Sequence, residues 1–382
     1  MLFNDTYLSR QPVLIRTWTK QIKMSAVQSF TMDSNAMETP LQPPSEEIID
    51  PEGEIQSPAL DLLPPPERKK MQTWILRLMA IALIIAGGFF SQEGFVVLVV
   101  LFVLVVPFEK IFPRHKGQKI RRPRLGTDMS YAIASPLMAV AAGAIGIIIA
   151  IISLAWIPGL LIRPLIAEIP SGYLPIVAFL LFDMTVYWTH RFYHEIPCLW
   201  RFHAVHHSTE HLDWASGFRG HPFDGTLAAP AFIFLIAAGF DPELTGILAI
   251  LQIFFGLFLH ANVNWKMKPL HKLVITPEFH HWHHTNEIDA HNSNYSTFLP
   301  IWDLIFGTYF MPKNRRPQKY GIDEYMPEGI IAQLRYPLRG MKNPLWYIRH
   351  PWLSFKGGLK FTKEILGEMK RSAFRPRNRP RN

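Results

Sequence analysis

Apolar residues occur along this chain in long runs separated by short polar breaks or charged clusters. The runs cover residues 74–90, 94–108, 131–157, 173–188, 227–240 and 244–259. A bilayer-spanning helix needs roughly 17–25 mostly apolar residues, so the third run is long enough to cross alone. The short polar breaks after the first and fifth runs predict two tight helical hairpins. The pattern predicts an all-α integral membrane protein with four to six transmembrane or membrane-embedded helices.

Positive charge is concentrated at one end of these runs. Arg68, Lys69 and Lys70 precede the first run, and seven basic residues between Lys110 and Arg124 follow the second. The positive-inside rule places both clusters in the cytoplasm. Tracing the chain through the remaining runs returns it to that side after the fourth run and again after the sixth. We therefore expect a histidine-rich helical cap on the cytoplasmic face of a multi-pass protein.

Four regions follow from composition. Residues 1–70 are predicted to be a disordered extension, because the segment 33–68 is rich in Pro, Glu and Asp and can bury little apolar surface. The segment 1–32 lacks the apolar core of a secretory signal, which leaves a targeting segment or an over-extended start site open. The other regions are a membrane hairpin with a basic loop (71–125), a central histidine-bearing domain (126–325) and an amphipathic, basic C-terminal tail (326–382).

The C-terminal tail has apolar and lysine residues interleaved over residues 352–370. This spacing is typical of a helix that lies on a membrane surface, or of an ordinary amphipathic helix.

Composition narrows the chemistry. The 382 residues are 49% hydrophobic and carry a net charge of +9. The basic clusters lie beside apolar runs, which favours anionic lipid headgroups over nucleic acid as their partner. The single cysteine, Cys198, excludes an internal disulfide, an iron–sulfur cluster and a cysteine-based zinc site. Histidine is the unusual residue, since 14 of the 16 lie between His190 and His291.

Most of these histidines fall into four groups at helical spacing. Offsets of three and four residues place side chains on one face of a helix. His281 interrupts the last group and is an alternative ligand there, although it points about 100° away from its neighbour on a helix. The ten candidate metal ligands are His190 and His194; His203, His206 and His207; His260 and Asn264; and His280, His283 and His284.

So many neighbouring imidazoles would repel one another if protonated and would lack partners if buried and neutral. Metal ions resolve both problems because they bind neutral imidazole. Nine histidines, with Asn264 in reserve, exceed the four to six ligands of a single ion. The sequence therefore predicts a site for two metal ions. Iron, copper, nickel and zinc all accept imidazole, so the pattern alone leaves the metal open.

Three further residues are candidates to support this site from outside the ligand set. Asp183 and Tyr187 lie on the helical face of the first histidine pair, and His221 follows a Gly in a loop. A carboxylate inside an apolar run is costly, and Asp183 is expected either to orient an imidazole or to make a structural hydrogen bond.

The remaining histidines are set apart from the site. His211, His271 and His291 are expected to be surface residues or outer neighbours of the ligands. His115 and His350 lie in basic segments and are expected to be solvated.

The motifs His-x3-His, His-x2-His-His and a late His-x2-His-His, behind paired apolar hairpins, resemble the fatty acid hydroxylase/sterol desaturase superfamily. The resemblance covers roughly residues 125–325, including the Tyr-Gly-Ile-Asp-Glu stretch that begins at Tyr320. It implies that the nine histidines named above are the ligands, with Asn264 as a possible tenth, and that Phe279 and Trp282 pack around the last motif. Members of this superfamily are membrane oxygenases with two iron ions.

The resemblance implies an oxidoreductase that uses two Fe ions and O2 to hydroxylate or desaturate an unactivated C–H bond of a membrane lipid. A sterol, a fatty acyl lipid and a glyceryl ether are all compatible substrates. The sequence has no dinucleotide fingerprint, haem-attachment motif or cluster of cysteines, so a separate ferredoxin- or cytochrome-type donor with its reductase is expected.

Two other functions are weighed against this one. A zinc-dependent membrane hydrolase remains an alternative, with zinc as a substitute metal, although Arg191 stands where a zincin would carry its general-base glutamate. A metal transporter would need polar residues along several spans, and apart from Asp183 the runs carry almost none.

Overall fold

A computed structural model describes residues 103–264, 270–342 and 344–374. Within these ranges the regular secondary structure is helical, joined by loops, with two isolated β-bridges and no strand. The predicted all-α class is confirmed. The α-helices are α1 (Leu125–Ile152), α2 (Trp156–Ala167), α3 (Leu174–Glu195), α4 (Pro197–His207), α5 (Ala229–Ala238), α6 (Pro242–Leu259), α7 (Pro277–His283), α8 (Ile301–Ile305), α9 (Ile330–Leu334), α10 (Pro344–Arg349) and α11 (Pro351–Phe374).

The chain divides into two compact units. The described residues of one unit lie before Leu338 and from Thr362 onwards, and they hold all of the candidate ligands. The described residues of the other unit fall within Leu338–Phe361 and contain α10 and the first part of α11. The predicted amphipathic segment 352–370 is helical, as part of α11. The four regions predicted from composition stay predictions.

Among the described residues, three helices are long and apolar enough to cross a membrane, judged by length and composition. They span Leu125–Ile152, Ser171–Glu195 and Pro242–Leu259, and between 11% and 33% of each span is buried inside the protein. Helix α1 exposes Ile147, Ile148 and Ile151 by 58–66%, which is the behaviour of a lipid-facing surface. The third, fourth and sixth apolar runs therefore form the expected helices. The first run, and most of the second, lie outside the described residues.

The third apolar run contains a break that its composition does not show. Helix α1 ends at Ile152, and Leu154 has a left-handed backbone conformation with φ 56°. The following residues form the separate helix α2, which packs against α5 at Gly159. A Cβ at Gly159 would lie 2.4 Å from the carbonyl oxygen of Phe234, so glycine permits this close approach.

The predicted hairpin of the fifth and sixth runs has one short arm. Helix α5 has 10 residues and spans about 15 Å, which is half of a typical hydrocarbon core. Gly239 ends it in the left-handed conformation with φ 96°, and Asp241 caps α6 by accepting a hydrogen bond from the backbone N–H of Glu243 at 2.7 Å. The turn is confirmed, but α5 is too short to cross the bilayer alone.

The sharp turn between α3 and α4 brings the first two histidine groups together. Ile196 is extended, with φ −100° and ψ 115°, because the residue before a proline avoids the helical conformation. Pro197 then starts α4 at a position that needs no backbone N–H donor. Helix α7 also starts with a proline, and the side chain of Thr276 accepts a hydrogen bond from the N–H of Phe279 at 3.3 Å.

Candidate metal centre

The nine candidate histidines converge into two groups of ring nitrogens. In each group, one nitrogen from every member lies within 4.8 Å of the corresponding nitrogens of the others. The five-histidine group consists of His190, His194, His203, His207 and His283, and the four-histidine group consists of His206, His260, His280 and His284. Seven of the nine side chains are buried, and His194 and His206 are half-buried.

In the five-histidine group, the Nε2 atoms of His190 and His203 point their lone pairs at each other. His190 Nδ1 lies 2.7 Å from the carbonyl oxygen of Tyr295, and His203 Nδ1 lies 3.0 Å from Asp224 Oδ1. Carbonyl and carboxylate oxygens accept hydrogen bonds, so both Nδ1 atoms carry the proton and donate. The Nε2 atoms of the two neutral rings are then unprotonated, yet they lie only 3.1 Å apart. A cation between them would turn this repulsion into coordination.

The four-histidine group shows the same arrangement. His206 Nδ1 donates to the carbonyl oxygen of Arg219 at 2.8 Å, and His260 Nδ1 donates to that of Gly256 at 2.7 Å. Their Nε2 atoms are 3.1 Å apart and again carry only lone pairs. His284 Nε2 lies 3.1 Å from His260 Nε2.

The spacing of these nitrogens fits ligands around one ion in each group. Two nitrogens bound about 2.1 Å from one metal lie about 3.0 Å apart at 90° and about 3.4 Å apart at 109°. The Nε2 pairs that lie in contact within the groups are 3.0–3.3 Å apart. His194 Nε2 and His283 Nε2 are buried without a hydrogen-bond partner, which is costly unless something else binds them. The residues therefore fit a pair of metal ions.

Burial keeps these imidazoles neutral. It lowers the pKa of His203 to about 3 and that of His206 to about 4. Burial also holds the pKa of His283 and His284 well below the usual value, and neighbouring histidines lower it further. Neutral imidazole is the form that binds metals.

Comparison with known proteins identifies this region. Residues 175–308, which contain all nine histidines, match the model of the fatty acid hydroxylase family. The chain carries a fatty acid hydroxylase domain. The resemblance to the fatty acid hydroxylase/sterol desaturase superfamily is thereby confirmed.

Relatives of the hydroxylase domain include named lipid-modifying enzymes. The chain is 32% identical to an ornithine lipid hydroxylase of Rhizobium tropici over 44% of this chain and 51% of that protein. It is 32% and 30% identical to the alkylglycerol monooxygenases of Danio rerio and Homo sapiens, over 35% of this chain and 30% and 29% of those proteins. The chain thus spans about half or less of the length of these relatives. No solved structure matches it significantly.

Asn264 lies outside both histidine groups of the hydroxylase domain. Its pairing with His260 at four residues assumed a continuing helix, but α6 ends at Leu259. His260 and Ala261 form a turn beyond that point, and Val263 forms a β-bridge with Pro113. The side-chain oxygen of Asn264 accepts a hydrogen bond from Arg316 at 2.8 Å. The helical spacing on which its role as a ligand rests is therefore not formed, and that role stays a prediction.

Asp183 makes a structural hydrogen-bond network. Its carboxylate accepts hydrogen bonds from the backbone N–H groups of Phe298 and Leu299 at 3.1 and 3.0 Å, and from the indole of Trp302 at 2.9 Å. These three donors hold the loop after Tyr295, so Asp183 acts on the loop and does not orient an imidazole directly. Of the two roles expected for Asp183, the structure therefore supports the structural hydrogen bond and not the orientation of an imidazole.

Among the described residues, neither Tyr187 nor His221 forms a hydrogen bond to the clustered imidazoles. The Tyr187 hydroxyl lies 2.9 Å from Thr308 Oγ1, and its ring packs on Tyr295 at 6.1 Å. His221 Nδ1 accepts a hydrogen bond from the N–H of Phe223 at 3.0 Å.

Asp224 is the carboxylate that contacts a clustered histidine, and the sequence analysis missed it. It begins a short 3-10 helix, Asp224–Thr226, and its Oδ1 accepts from His203 Nδ1. Carboxylates of this kind fix the orientation of a metal-binding ring. The one available signal was its position three residues after His221 in the loop between the second and third histidine groups.

Replacing Asp224 with alanine is expected to weaken metal binding by the five-histidine group about 10–100-fold, because His203 loses the acceptor that orients its ring. Competition between the purified chain and a coloured chelator would measure the change. The control is Asp241→Ala, which removes the cap of α6 at the far end from His260 and should leave metal affinity unchanged. Equal affinities in the Asp224 variant and the natural chain would contradict the assignment.

The other histidines are placed as follows. His281 is fully buried on α7, but its Nδ1 faces the hydroxyl of Tyr320 at 3.3 Å and not the two groups, so it does not substitute for His280. His115, expected to be solvated, is half-buried, and its Nε2 lies 3.0 Å from the same hydroxyl. His271 is buried near Glu278, whereas His291 is exposed.

Proposed function

We propose that this chain is a membrane-bound oxygenase that uses two iron ions and O2 to oxidise an unactivated C–H bond of a lipid. The observation that carries the proposal is the pair of imidazole groups, whose unprotonated nitrogens face one another inside a fatty acid hydroxylase domain. Relatives named hydroxylase and monooxygenase support this function, and they give no support to the zinc-dependent hydrolase.

The residues of the chain would bind and orient the two ions. Five imidazoles would hold one ion and four would hold the other. Bound iron would supply the activation of O2, which no protein side chain can perform. The acceptors of the Nδ1 protons fix the ring directions before any metal arrives, so little reorganisation is needed on binding.

Aromatic side chains exclude water from the five-histidine group. Trp200 packs on His194 and His207 with ring centroids 5.2 and 5.6 Å apart, and the fully buried Tyr295 packs on His194 at 5.2 Å. A dry pocket protects a reactive oxidant from side reactions with solvent.

A lipid is the substrate class that the position of the site supports. His190 and His194 lie in the last turns of α3, and His260 directly follows α6. Both helices belong to the candidate membrane spans, so the site lies where these apolar helices end. Ornithine lipid and alkylglycerol, named for the relatives, each carry hydrocarbon chains that such a site could reach from the membrane. A sterol or fatty acyl lipid fits the same argument.

Two features of the proposed reaction lie beyond the hydroxylase domain itself. Electrons would come from a separate ferredoxin- or cytochrome-type donor and its reductase, since the sequence carries no motif for a redox cofactor other than the histidines. The charge distribution around the apolar runs supports a cytoplasmic location of the histidines.

Oxygen isotope labelling of the lipid product tests the proposed reaction. Purified chain in lipid nanodiscs is loaded with Fe(II), reduced anaerobically with dithionite, freed of excess dithionite and then exposed to 18O2. It is expected to yield a lipid product that carries one labelled oxygen. A product lighter by two hydrogens would instead assign desaturation. The His206→Ala, His283→Ala double variant removes one histidine from each group and should yield neither product. Turnover that continues without O2 would contradict the proposal.

A further inference from the structure

A row of three polar rings runs from the surface of the chain to the edge of the four-histidine group. His115 Nε2 lies 3.0 Å from the hydroxyl oxygen of Tyr320, which lies 3.3 Å from His281 Nδ1. The rings meet edge to face, with centroids 5.5 and 5.7 Å apart. We call these three residues the His–Tyr–His row. Neither of its histidines belongs to the two metal-binding groups.

The inner end of the row is tied to the four-histidine group. His281 directly follows His280 on α7. The backbone of Tyr320 forms a β-bridge with Thr285, which directly follows His284. The hydroxyl of Thr285 also donates to the carbonyl oxygen of Lys319 at 2.8 Å. The row therefore ends beside two members of the group.

The outer end of the row is surrounded by positive charge. Lys116 follows His115, Lys319 precedes Tyr320, and both side chains are exposed. Arg114 and Arg316 are half-buried beside them. Further exposed cations on the same two segments are Lys110, Lys119, Arg121 and Lys313. We call this set the basic surface.

Contacts between the two segments make the basic surface continuous. The N–H of Arg114 donates to the carbonyl oxygen of Asn262 at 3.2 Å. The Arg316 side chain donates a hydrogen bond to the side-chain oxygen of Asn264, and the backbone N–H of Asn264 donates to the carbonyl oxygen of Phe112. Asn264 thus connects the segment of Arg316 with the segment of Arg114.

Few of these charges are neutralised locally. Arg316 lies 3.7 Å from Glu278, whereas the ion pairs of the neighbouring Arg315 with Glu287 and Asp289 occupy a residue outside the basic surface. Among the described residues, no carboxylate forms an ion pair with Lys116 or Lys319. The basic surface therefore retains an excess of positive charge, which attracts an acidic partner.

We propose that the basic surface is the docking site of an acidic one-electron carrier protein, with the His–Tyr–His row as the connection to the four-histidine group. The inference rests on the proposed function, because hydroxylation of a C–H bond consumes electrons. The balance is RH + O2 + 2 electrons + 2 H+ giving ROH + H2O, so a one-electron carrier docks twice per turnover. An anionic membrane would also be attracted to this charge, but a lipid headgroup needs no row of polar rings behind it.

Binding of a carrier tests the surface independently of iron and of lipid oxidation. The probes are two acidic carriers, a [2Fe–2S] ferredoxin and a b-type cytochrome, with a basic c-type cytochrome for comparison. We expect at least one acidic probe to bind the full chain in nanodiscs, with a Kd that rises with ionic strength. The Lys116→Glu, Lys319→Glu double variant should raise that Kd about tenfold.

The control variant is Arg163→Glu. Arg163 is exposed beside Gly239, at the opposite end of α6 from His260, so its reversal should leave the Kd unchanged. The proposal is overturned if neither acidic probe binds more tightly than the basic one, or if the double variant binds like the natural chain. It is also overturned if the double variant instead loses binding to phosphatidylserine vesicles while its carrier Kd stays the same.

The Tyr320→Phe variant tests the row. It keeps the ring and removes the oxygen that links His115 to His281. We expect an unchanged carrier Kd and a slower reduction of bound iron by the carrier, followed anaerobically by absorbance, with reduction by dithionite unaffected. Equal carrier-driven rates in both proteins would remove the row from the proposal. Failure of the natural chain to oxidise lipid with dithionite would count against the proposed function alone, because the binding measurements do not depend on it.

Discussion

Replacing His283 with glutamine is expected to remove metal from the five-histidine group and to lower lipid oxidation about a hundredfold or more. His283 Nδ1 donates to the carbonyl oxygen of Ser293 at 2.9 Å, which aims the unprotonated Nε2 into the group. Loss of a residue that only supports a ligand costs about 10–100-fold, so loss of a ligand should cost at least the upper end of that range. Metal content of the purified chain, measured by elemental analysis, checks the first effect directly.

His281→Gln provides a closely matched control for metal content. His281 lies two residues away on the same helix and is fully buried, but its Nδ1 faces Tyr320. This variant should retain the metal content of the natural chain. If both variants lose metal equally, the effect reflects damage to α7 and not the loss of a ligand. If neither loses metal, the assignment of the five-histidine group is wrong.

Helical spacing predicted the histidine groups well because it reports short-range geometry. His190 with His194, and His203 with His207, lie on single continuous helices, α3 and α4, so residues four apart share a face as expected. The hydrophobic pattern predicts that the fourth and sixth apolar runs end on the same side of the membrane. This prediction brings the histidines that follow them into one site.

The same argument failed for Asn264 because its helix ends before it. The end of the sixth apolar run predicts the end of α6 at Leu259 correctly. The pairing of His260 with Asn264, however, requires the helix to continue beyond His260, and it does not. The β-bridge from Val263 to Pro113 joins residues 150 positions apart, and no local pattern reveals such a pairing.

The hydrogen-bond partners of buried carboxylates could not be predicted from the sequence either. Asp183 was singled out because it interrupts an apolar run, yet its donors come from Phe298 and Leu299, more than 110 residues away. Asp224 attracted no notice in a polar loop, although it contacts His203. A local pattern shows that a buried carboxylate needs partners. Only the tertiary structure shows which ones it has.

A buried network of charges beside the four-histidine group leads to the second large prediction. Asp128 on α1 is fully buried between two arginines, with Arg219 Nε 2.5 Å from its Oδ1 and Arg122 Nη1 2.8 Å from its Oδ2. Arg219 also donates to the hydroxyl of Ser208 at 3.2 Å, and its carbonyl oxygen accepts the Nδ1 proton of His206. The network therefore holds both ends of the loop that follows the second histidine group.

Asp128→Asn is expected to destabilise the chain by about 3–5 kcal/mol, because it leaves Arg219 buried without a charged partner. Arg122 keeps both oxygens of Asp213 at 2.5 and 2.6 Å and is less affected. As the carbonyl group of Arg219 shifts, His206 loses its orientation, so the four-histidine group should lose metal before the five-histidine group does. Thermal unfolding in detergent and Mössbauer spectra of the iron-loaded chain measure the two effects.

The double variant Asp128→Leu, Arg219→Met separates the two effects. Replacing both partners of a buried ion pair with apolar residues of similar size is often neutral for stability. We therefore expect the double variant to recover most of the lost stability. It should also restore metal to the four-histidine group, because the backbone carbonyl that orients His206 remains. Recovery of stability without metal would show that the arginine side chain itself is needed to position this ligand. No recovery of either would mean that the network acts through packing that the pair of substitutions does not reproduce.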